Sequence, residues 1–351
     1  MKILFVVPSF SLIGGVANHY QGLSQYWAEE IVYCVQGRRK KLPAYFWLIP
    51  DYVTFVLKVL YYRPQLVVIN PSLRSYMLFR DGLYLLLAKL FRRKVVCFFH
   101  GWDINLAEKL EKCPKIFNKV FGKSDLVYVL CSDFKKTLER MNFPGLVKLN
   151  TTKVDDSLLE GFSIASRTRK VTNILYLARV DRNKGIYVAI DAFEILQKDY
   201  PFLHLTIVGN GCDKENAEKY VSKKHLPNVH FTGGLRGKDL ADQFAKGDIY
   251  ILPTYFEGMA TSVLEAMAFG LPVLTAPVGG VKDFFVESEM GFLIDSYSAQ
   301  DYADKMRILL KSGELYRRIS YNNYQYAHQN FMASIVTRKM ECDFKVLFER
   351  K

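Results

Sequence analysis

Residues 256–273 read Phe256-Glu257-Gly258-Met259-Ala260-Thr261-Ser262-Val263-Leu264-Glu265-Ala266-Met267-Ala268-Phe269-Gly270-Leu271-Pro272-Val273. The apolar run 249–253 leads into them, with the length and composition of a buried strand. Thr261 and Ser262 are both N-cap types, so a helix should open at one of them and stop at Gly270, ahead of Pro272. Another apolar run, 273–276, follows at once. Strand, loop, helix and strand in this order indicate a parallel sheet, because parallel neighbours need a helix-length crossover. Glu257 then lies in the loop at the strand's end and Glu265 about one turn into the helix. A carboxylate can accept from two adjacent hydroxyls of a sugar or a ribose, and a helix N-terminus suits a phosphate.

The same alternation extends in both directions. Strands are predicted over 3–7, 31–35, 66–70, 95–100, 126–131 and 147–149, and again over 173–177, 203–208, 229–231, 249–253, 273–276 and 292–294. Helical patterns lie between them, as over 185–198, 214–225 and 299–311. Two α/β halves follow, each a doubly wound, Rossmann-like sheet whose ligands should bind at the C-terminal ends of the strands. The polar stretch 155–172 is the expected linker, which divides the chain into domains 1–165 and 166–330. Residues 331–351 are expected to form a last helix packing back across both.

Bulk composition agrees with this plan. A chain of 351 residues is longer than one core usually supports. With half its residues hydrophobic and 24% charged, it should fold rather than stay disordered. Six cysteines, with no Cys-x-x-Cys pair, suggest neither a disulfide framework nor a zinc site, and point to the cytoplasm. The run Met1–Val7 reads as a first strand and not a signal peptide. The most apolar stretches, 52–57 and 83–87, are cut short by Lys58 and Lys89, so no membrane span is expected. The net charge of +13 is uneven: residues 1–165 hold 23 Lys/Arg against 13 Asp/Glu. Such a half should face an anionic surface, whether lipid headgroups, a phosphorylated acceptor or nucleic acid.

The Glu-x7-Glu segment, with its Glu-Ala-Met-Ala-x-Gly-x-Pro-Val continuation, resembles the signature of glycosyltransferase family 4. That resemblance implies the GT-B fold, two Rossmann-like domains facing each other across a cleft. It further implies that Glu257 contacts hydroxyls of the donor sugar and Glu265 the nucleotide ribose, with Gly258, Met259, Ala260 and Thr261 at the phosphate. Leu177-Ala178-Arg179-Val180-Asp181-Arg182-Asn183-Lys184-Gly185 matches the family's Arg and Lys-Gly. Arg179 and Lys184 would there stabilise the negative charge left on a departing diphosphate. Ala178 stands where relatives usually have Gly. Gly14 and Gly15, between the first strand and helix, match the family's glycine loop. His100, at the end of a strand, matches a histidine that touches the transferred sugar; Asp103 is a weaker candidate. Gly233, Gly234 and Leu235 resemble the turn that reads the nucleobase. Asp283 replaces a common Glu, and Asn150-Thr151-Thr152 departs from Asn-Gly-Val-Asp.

The expected activity is therefore a retaining transfer of sugar from a nucleotide-sugar donor to a glycan or lipid-linked acceptor in bacterial surface-glycan synthesis. No Asp-x-Asp stands at a strand end, and Arg179, Lys184 and helix N-termini can replace Mg²⁺, so no metal or other cofactor is expected. A nucleotide-sugar epimerase of the same fold and an inactive binding subunit remain alternatives. Nucleic acid is not an expected partner, since no motif for it accompanies the charge. An anionic membrane surface is: Lys109, Lys112, Lys115, Lys119 and Lys123 recur at helical spacing beside Leu110, Phe117, Val120 and Phe121, the pattern of an interfacial helix split at Pro114. The basic, aromatic run 38–47 and Phe91-Arg92-Arg93-Lys94 add to it. The enzyme would then sit peripherally on the inner face of the plasma membrane.

Overall fold

The computed structural model describes residues 1–11, 14–37, 44–167 and 170–349. It divides into two compact units: Met1–Lys153 with Ala333–Lys351, and Val154–Met332. In unit 1 the chain runs β1 (Lys2–Pro8), α1 (Gly15–Leu23), β2 (Glu30–Gln36), α2 (Leu48–Tyr62), β3 (Leu66–Ile69), β4 (Ser72–Leu73), α3 (Ser75–Leu90), β5 (Lys94–Phe99), β6 (Gly101–Trp102), α4 (Ile104–Lys112), α5 (Lys115–Phe121), β7 (Leu126–Val129), α6 (Ser132–Arg140) and β8 (Val147–Leu149). Unit 2 runs β9 (Asn173–Leu177), α7 (Ile186–Gln197), β10 (His204–Val208), α8 (Lys214–Lys223), β11 (Val229–Gly233), α9 (Gly237–Lys246), β12 (Ile249–Leu252), α10 (Thr261–Ala268), β13 (Val273–Thr275), β14 (Gly291–Leu293), α11 (Ala299–Lys311) and α12 (Gly313–Asn330). The chain then returns to unit 1 as α13 (Ala333–Glu349).

Each unit is built on a six-stranded, wholly parallel sheet, ordered β2-β1-β3-β5-β7-β8 in unit 1 and β11-β10-β9-β12-β13-β14 in unit 2. A central parallel strand is covered by helices on both faces, which is why the strands read as unbroken apolar runs. Ile3–Val7, Leu66–Ile69, Val95–Phe99 and Ile249–Ile251 are all fully buried. β4 and β6 form a separate two-stranded parallel pair.

The division falls between Lys153 and Val154, earlier than the linker placed at 165, and the polar stretch belongs to unit 2. Val154 N–H donates to Phe331 O at 2.8 Å, and Leu158 and Leu159 are buried. Arg167 holds the end of the stretch, donating to the carbonyls of Phe269 (2.8 Å), Phe244 (2.9 Å) and Gly247. A polar segment can thus be structural when its charges close off loop carbonyls. α13 packs within unit 1: Glu341 accepts from the N–H groups of Ala28 (2.8 Å) and Glu29 (3.1 Å), and Asp343 takes both the Tyr128 hydroxyl (2.8 Å) and Lys148 (2.5 Å). Arg167→Ala should destabilise unit 2 by about 2–4 kcal/mol, since three inward-facing carbonyls lose a charged donor. Denaturant titration checks this; a loss below about 1 kcal/mol would mean water replaces the guanidinium.

Candidate functional site

In an open α/β sheet, ligands bind beyond the strand ends where the strand order reverses. In unit 2 the reversal lies between β9 and β12, and the loops leaving these two strands carry Lys184 and Glu257. The β9 loop turns through Arg182–Lys184, capped by the Asp181 carboxylate on Asn183 N–H at 2.7 Å. It enters α7 at Gly185, whose φ of +72° is left-handed and where a β-carbon would lie 2.0 Å from the Pro253 carbonyl oxygen. Only glycine permits that approach. Tyr255 N–H donates to Asn183 O at 3.0 Å, locking the two loops together. Lys184 Nζ consequently meets Glu257 Oε1 at 2.5 Å and Phe256 O at 3.1 Å.

A third loop, after β13, closes on the same point. Gly280 N–H donates to Gly258 O at 2.8 Å, and a β-carbon on Gly279 (φ +59°) would stand 2.3 Å from Glu257 O. The Lys184 and Glu257 side chains are 14% and 19% exposed, so the pair is reachable but shielded enough for its charges to matter. Behind it the buried Tyr250 hydroxyl donates to Leu177 O (2.9 Å) and pairs with Ser262 Oγ (2.6 Å), tying the end of β9 to the first turn of α10.

The helix α10 opens at Thr261 as expected, but its N-cap is Ala260, not Thr261 or Ser262, and no side chain caps it. Gly258, Met259 and Ala260 lead into this N-terminus, and Glu265 stands half-buried on the helix. Gly233 and Gly234 form the turn after β11. Asn210 holds it, its side-chain oxygen accepting from Gly234 N–H at 3.1 Å while Gly209 N–H donates to Gly233 O at 2.8 Å. Gly209 in turn lies against the Ala178 carbonyl, where a β-carbon would be 1.9 Å away. The Gly233-Gly234-Leu235 turn is thereby linked to the loop bearing the exposed Arg179. A cavity of about 700 Å³ opens on the flank of Gly185 and Tyr255, walled by Tyr187, Tyr220, Arg182 and Lys219.

Oxygen and sulfur atoms of Asp181, Cys212 and Asp213 lie within 4.8 Å of one another. The carboxylates already serve the loop, Asp181 on Asn183 N–H and Asp213 on Arg182 N–H at 2.7 Å. They explain the loop's shape without an ion.

In unit 1 the reversal lies between β1 and β3. Gly14 and Gly15 are exposed at the start of α1, and a β-carbon on either would meet no atom within 4 Å. Leu12 and Ile13 of that loop lie outside the described residues. His100 follows β5 directly, half-buried, with its Nε2 buried and without a hydrogen-bond partner. Its ring lies 5.1 Å from that of His19 on α1, and burial pushes its pKa down to about 3. His19 is 2% exposed with both ring nitrogens unpartnered, and burial, then His100, then Lys153 hold its pKa well below the usual value. The sequence reading passed over His19; its place four residues beyond Gly15, on the buried face of α1, was the available signal. Beside it Asn70 accepts from the Tyr20 hydroxyl (2.7 Å) and donates to Val6 O (3.0 Å). Asp103 has a structural role, capping α4 by accepting from Leu106 N–H at 2.9 Å.

The interfacial-helix reading needs correction. The segment does break at Pro114 into α4 and α5, and its five lysines are exposed. Phe117 and Phe121, however, are 4% and 3% exposed and pack on Phe99 in the core. They were read from spacing alone, which does not tell which side of a helix meets a sheet.

Two doubly wound parallel sheets, each with a glycine-lined loop at its reversal, define a class of fold. Over its whole length the chain superposes on sucrose-phosphate synthase of Thermosynechococcus elongatus, with a TM-score of 0.74 at 17% identity and 100% of both chains covered. It superposes also on HepE of Anabaena in complex with UDP and glucose, at 0.73 and 16% identity over 99% and 100% of the chains. The fold is GT-B, as expected. Residues 164–326, which lie within unit 2, match the model of the family Glycosyl transferases group 1. The chain is 27% identical over 235 residues to the amylovoran biosynthesis glycosyltransferase AmsK of Erwinia amylovora, 64% of this chain and 57% of that one. It is 31% identical over 144 residues to the sulfoquinovosyl transferase SQD2 of Arabidopsis thaliana, 40% of this chain and 27% of that one. It thus spans less than two thirds of the length of either relative.

Gly185→Ala should add about 1–3 kcal/mol of backbone strain before the clash with Pro253 is counted, and the loop would have to withdraw Lys184 from Glu257. A crystal structure of the variant with the ion pair intact would contradict this account. For the histidines the sign follows from burial. The folded protein refuses protons that the unfolded chain binds, so their contribution to stability is complete above about pH 6.5 and falls as the pH drops toward about 3. Thermal unfolding between pH 7 and 5 should show this slope, and His100→Gln should flatten it.

Proposed function

We propose that this protein is a retaining, metal-independent glycosyltransferase of family 4 type, moving a sugar from a nucleotide-sugar donor to an acceptor hydroxyl. The observation that carries the reading is the Lys184–Glu257 pair at the reversal of the unit 2 sheet, beside an uncapped helix N-terminus. The donor diphosphate would occupy that N-terminus, with Arg179 and Lys184 as its cations and the Gly233-Gly234-Leu235 turn against the base. Glu265 would hold the ribose. Glu257, freed from Lys184 by the arriving phosphate, would accept from the sugar hydroxyls. UDP bound to HepE supports a uridine nucleotide as the first donor to try.

The C1–O bond to the diphosphate breaks, leaving its electron pair on oxygen, and the acceptor oxygen bonds to C1 on the same face. The acceptor proton passes to the departing phosphate. Lys184 and Arg179 act where charge develops, which is where fixed charges lower a barrier most. His100, half-buried and held neutral, would meet a sugar hydroxyl without adding charge, with His19 packed behind it at a ring distance of 5.1 Å. The small residues Gly14 and Gly15 leave space beside them for ligand.

The acceptor in this reading is a lipid-linked or polysaccharide chain of a bacterial surface glycan, O-antigen, capsule or exopolysaccharide, handled at the inner face of the plasma membrane. The names of several relatives support it: amylovoran and capsular polysaccharide biosynthesis glycosyltransferases and a putative one for colanic acid. Glu257→Gln should remove most turnover with the fold intact, and Lys184→Ala should cost about 10²–10³ in rate. Both are read by release of nucleoside diphosphate, and turnover should persist in EDTA. Near-normal rates in Glu257→Gln would overturn the site; loss in EDTA with rescue by Mg²⁺ would overturn the metal-free chemistry.

A further inference from the structure

We infer that the outer side of α2, α3 and α5 is a docking surface for an anionic lipid bilayer. α2 packs beside α3 and α3 beside α5 over one face of the unit 1 sheet. A helix covering a sheet normally turns its apolar side inward. α2 does bury Phe55 and Val59, yet it also presents Ile49 (74% exposed), Val53, Leu57 (60%), Leu60 and Tyr61 (81%). These positions recur at three- and four-residue steps and therefore share one side. α3 presents Tyr76, Phe79 (72%) and Leu90 (74%), and α5 adds Ile116 (78%). Large apolar side chains grouped in this way mark a surface that meets something other than water.

The charges around the patch say what it meets. The acidic residues of the three helices are Asp51 and Asp81, and both are buried. Asp51 accepts from Gly37 N–H at 2.7 Å, and Asp81 pairs with Arg80 at 2.8 Å. The outer side of these helices thus shows no carboxylate. Cations rim it instead: Lys115 and Lys119 on α5, Lys123 just beyond, and Arg63 and Arg92 where α2 and α3 end. α2 and α3 each run back between parallel strands, so those ends share one edge, where Leu60, Tyr61 and Leu90 are exposed. An apolar plate with a cationic rim and no anion suits acyl chains beneath acidic headgroups. A second copy of the chain would bring the same cations against each other. No helix is long and apolar enough to cross a membrane among the described residues, so the contact would be peripheral. The basic run 38–41 precedes α2 and lies outside the described residues.

The test is flotation of the full chain with vesicles of phosphatidylcholine alone or with one third phosphatidylglycerol. The wild type should float with the anionic vesicles and release at high salt. Leu57→Ser with Phe79→Ser should lower the bound fraction at least fivefold, while Lys115→Gln with Lys119→Gln should lower partitioning about 25-fold, near fivefold per cation. All four side chains are exposed, so the unfolding temperature should hold within a few degrees. Equal recovery with both vesicle types, or unchanged recovery in either double variant, would overturn the inference. So would a change from dimer to monomer in Leu57→Ser/Phe79→Ser with flotation intact, which would make the patch a contact between copies. This surface deepens the proposed membrane-linked glycosyl transfer, but flotation reads no turnover. A failed flotation leaves the donor chemistry standing, and a failed turnover assay leaves the surface standing.

Discussion

The α-carbon of Gly185 lies so close to the Pro253 carbonyl that no side chain fits between them, and the geometry of unit 2 follows from that contact. β9 and β12 are neighbours in the sheet because the strand order reverses there, and neighbours diverge beyond their ends unless something ties the loops. The glycine contact and the Tyr255–Asn183 hydrogen bond are the tie. They bring a lysine from one loop and a glutamate from the other within 2.5 Å, although 73 residues separate them in the chain. Glycines at 209 and 279 repeat the device, each against a carbonyl of an adjacent loop. Three loop ends packed at backbone distance leave little freedom to the groups they carry. Preorganised charge of that kind is what stabilisation of a leaving group requires.

Unit 1 reaches its polar centre differently. Its loops are not drawn together by glycine contacts at the sheet's reversal; Gly14 and Gly15 have open space around them. Two histidines instead pack ring to ring under Phe98, at 5.7 Å from His19 and 3.9 Å from His100. A buried imidazole nitrogen without a partner is costly to a fold; His19 carries two such atoms and the half-buried His100 beside it carries one. Unit 2 therefore gathers an ion pair at its reversal, whereas unit 1 gathers neutral imidazoles.

Much of this was legible in the sequence. The predicted strands lie within two residues of those observed, because fully buried parallel strands leave unbroken apolar runs that turns must interrupt. Residues 256–273 were legible as strand-end loop and helix for the same reason. The ion pair was not, since proximity between loops 73 residues apart depends on sheet order. Nor was the division at Lys153: Arg167 looks like a solvated linker charge until the carbonyls it closes are seen. α2 shows a further limit. Apolar residues occur all around it, from Leu48 to Tyr62, so periodicity could not separate an inner from an outer side. On α5 periodicity existed, but Phe117 and Phe121 mark the core and the lysines mark the solvent.

The charge imbalance of the first half has a structural origin in how its acids are used. Asp51, Asp81 and Asp125 are all engaged: on the Gly37 N–H, on Arg80, and on Lys89 with the Val95 N–H. Burial raises the Asp81 carboxyl pKa and Arg80 opposes it, which identifies a group retained for its partner and not for its exposure. Acids of unit 1 that hold loops and strand ends in place do not offset the field of surface lysines as exposed carboxylates would. The excess of ten positive charges counted over residues 1–165 therefore understates the potential over α5 and the ends of α2 and α3, where Lys115, Lys119, Arg63 and Arg92 are exposed and α2, α3 and α5 carry no exposed acid. Where that potential borders the uncovered apolar side of α2, attraction and desolvation act on the same patch, and neither alone would orient unit 1 against a flat anionic surface.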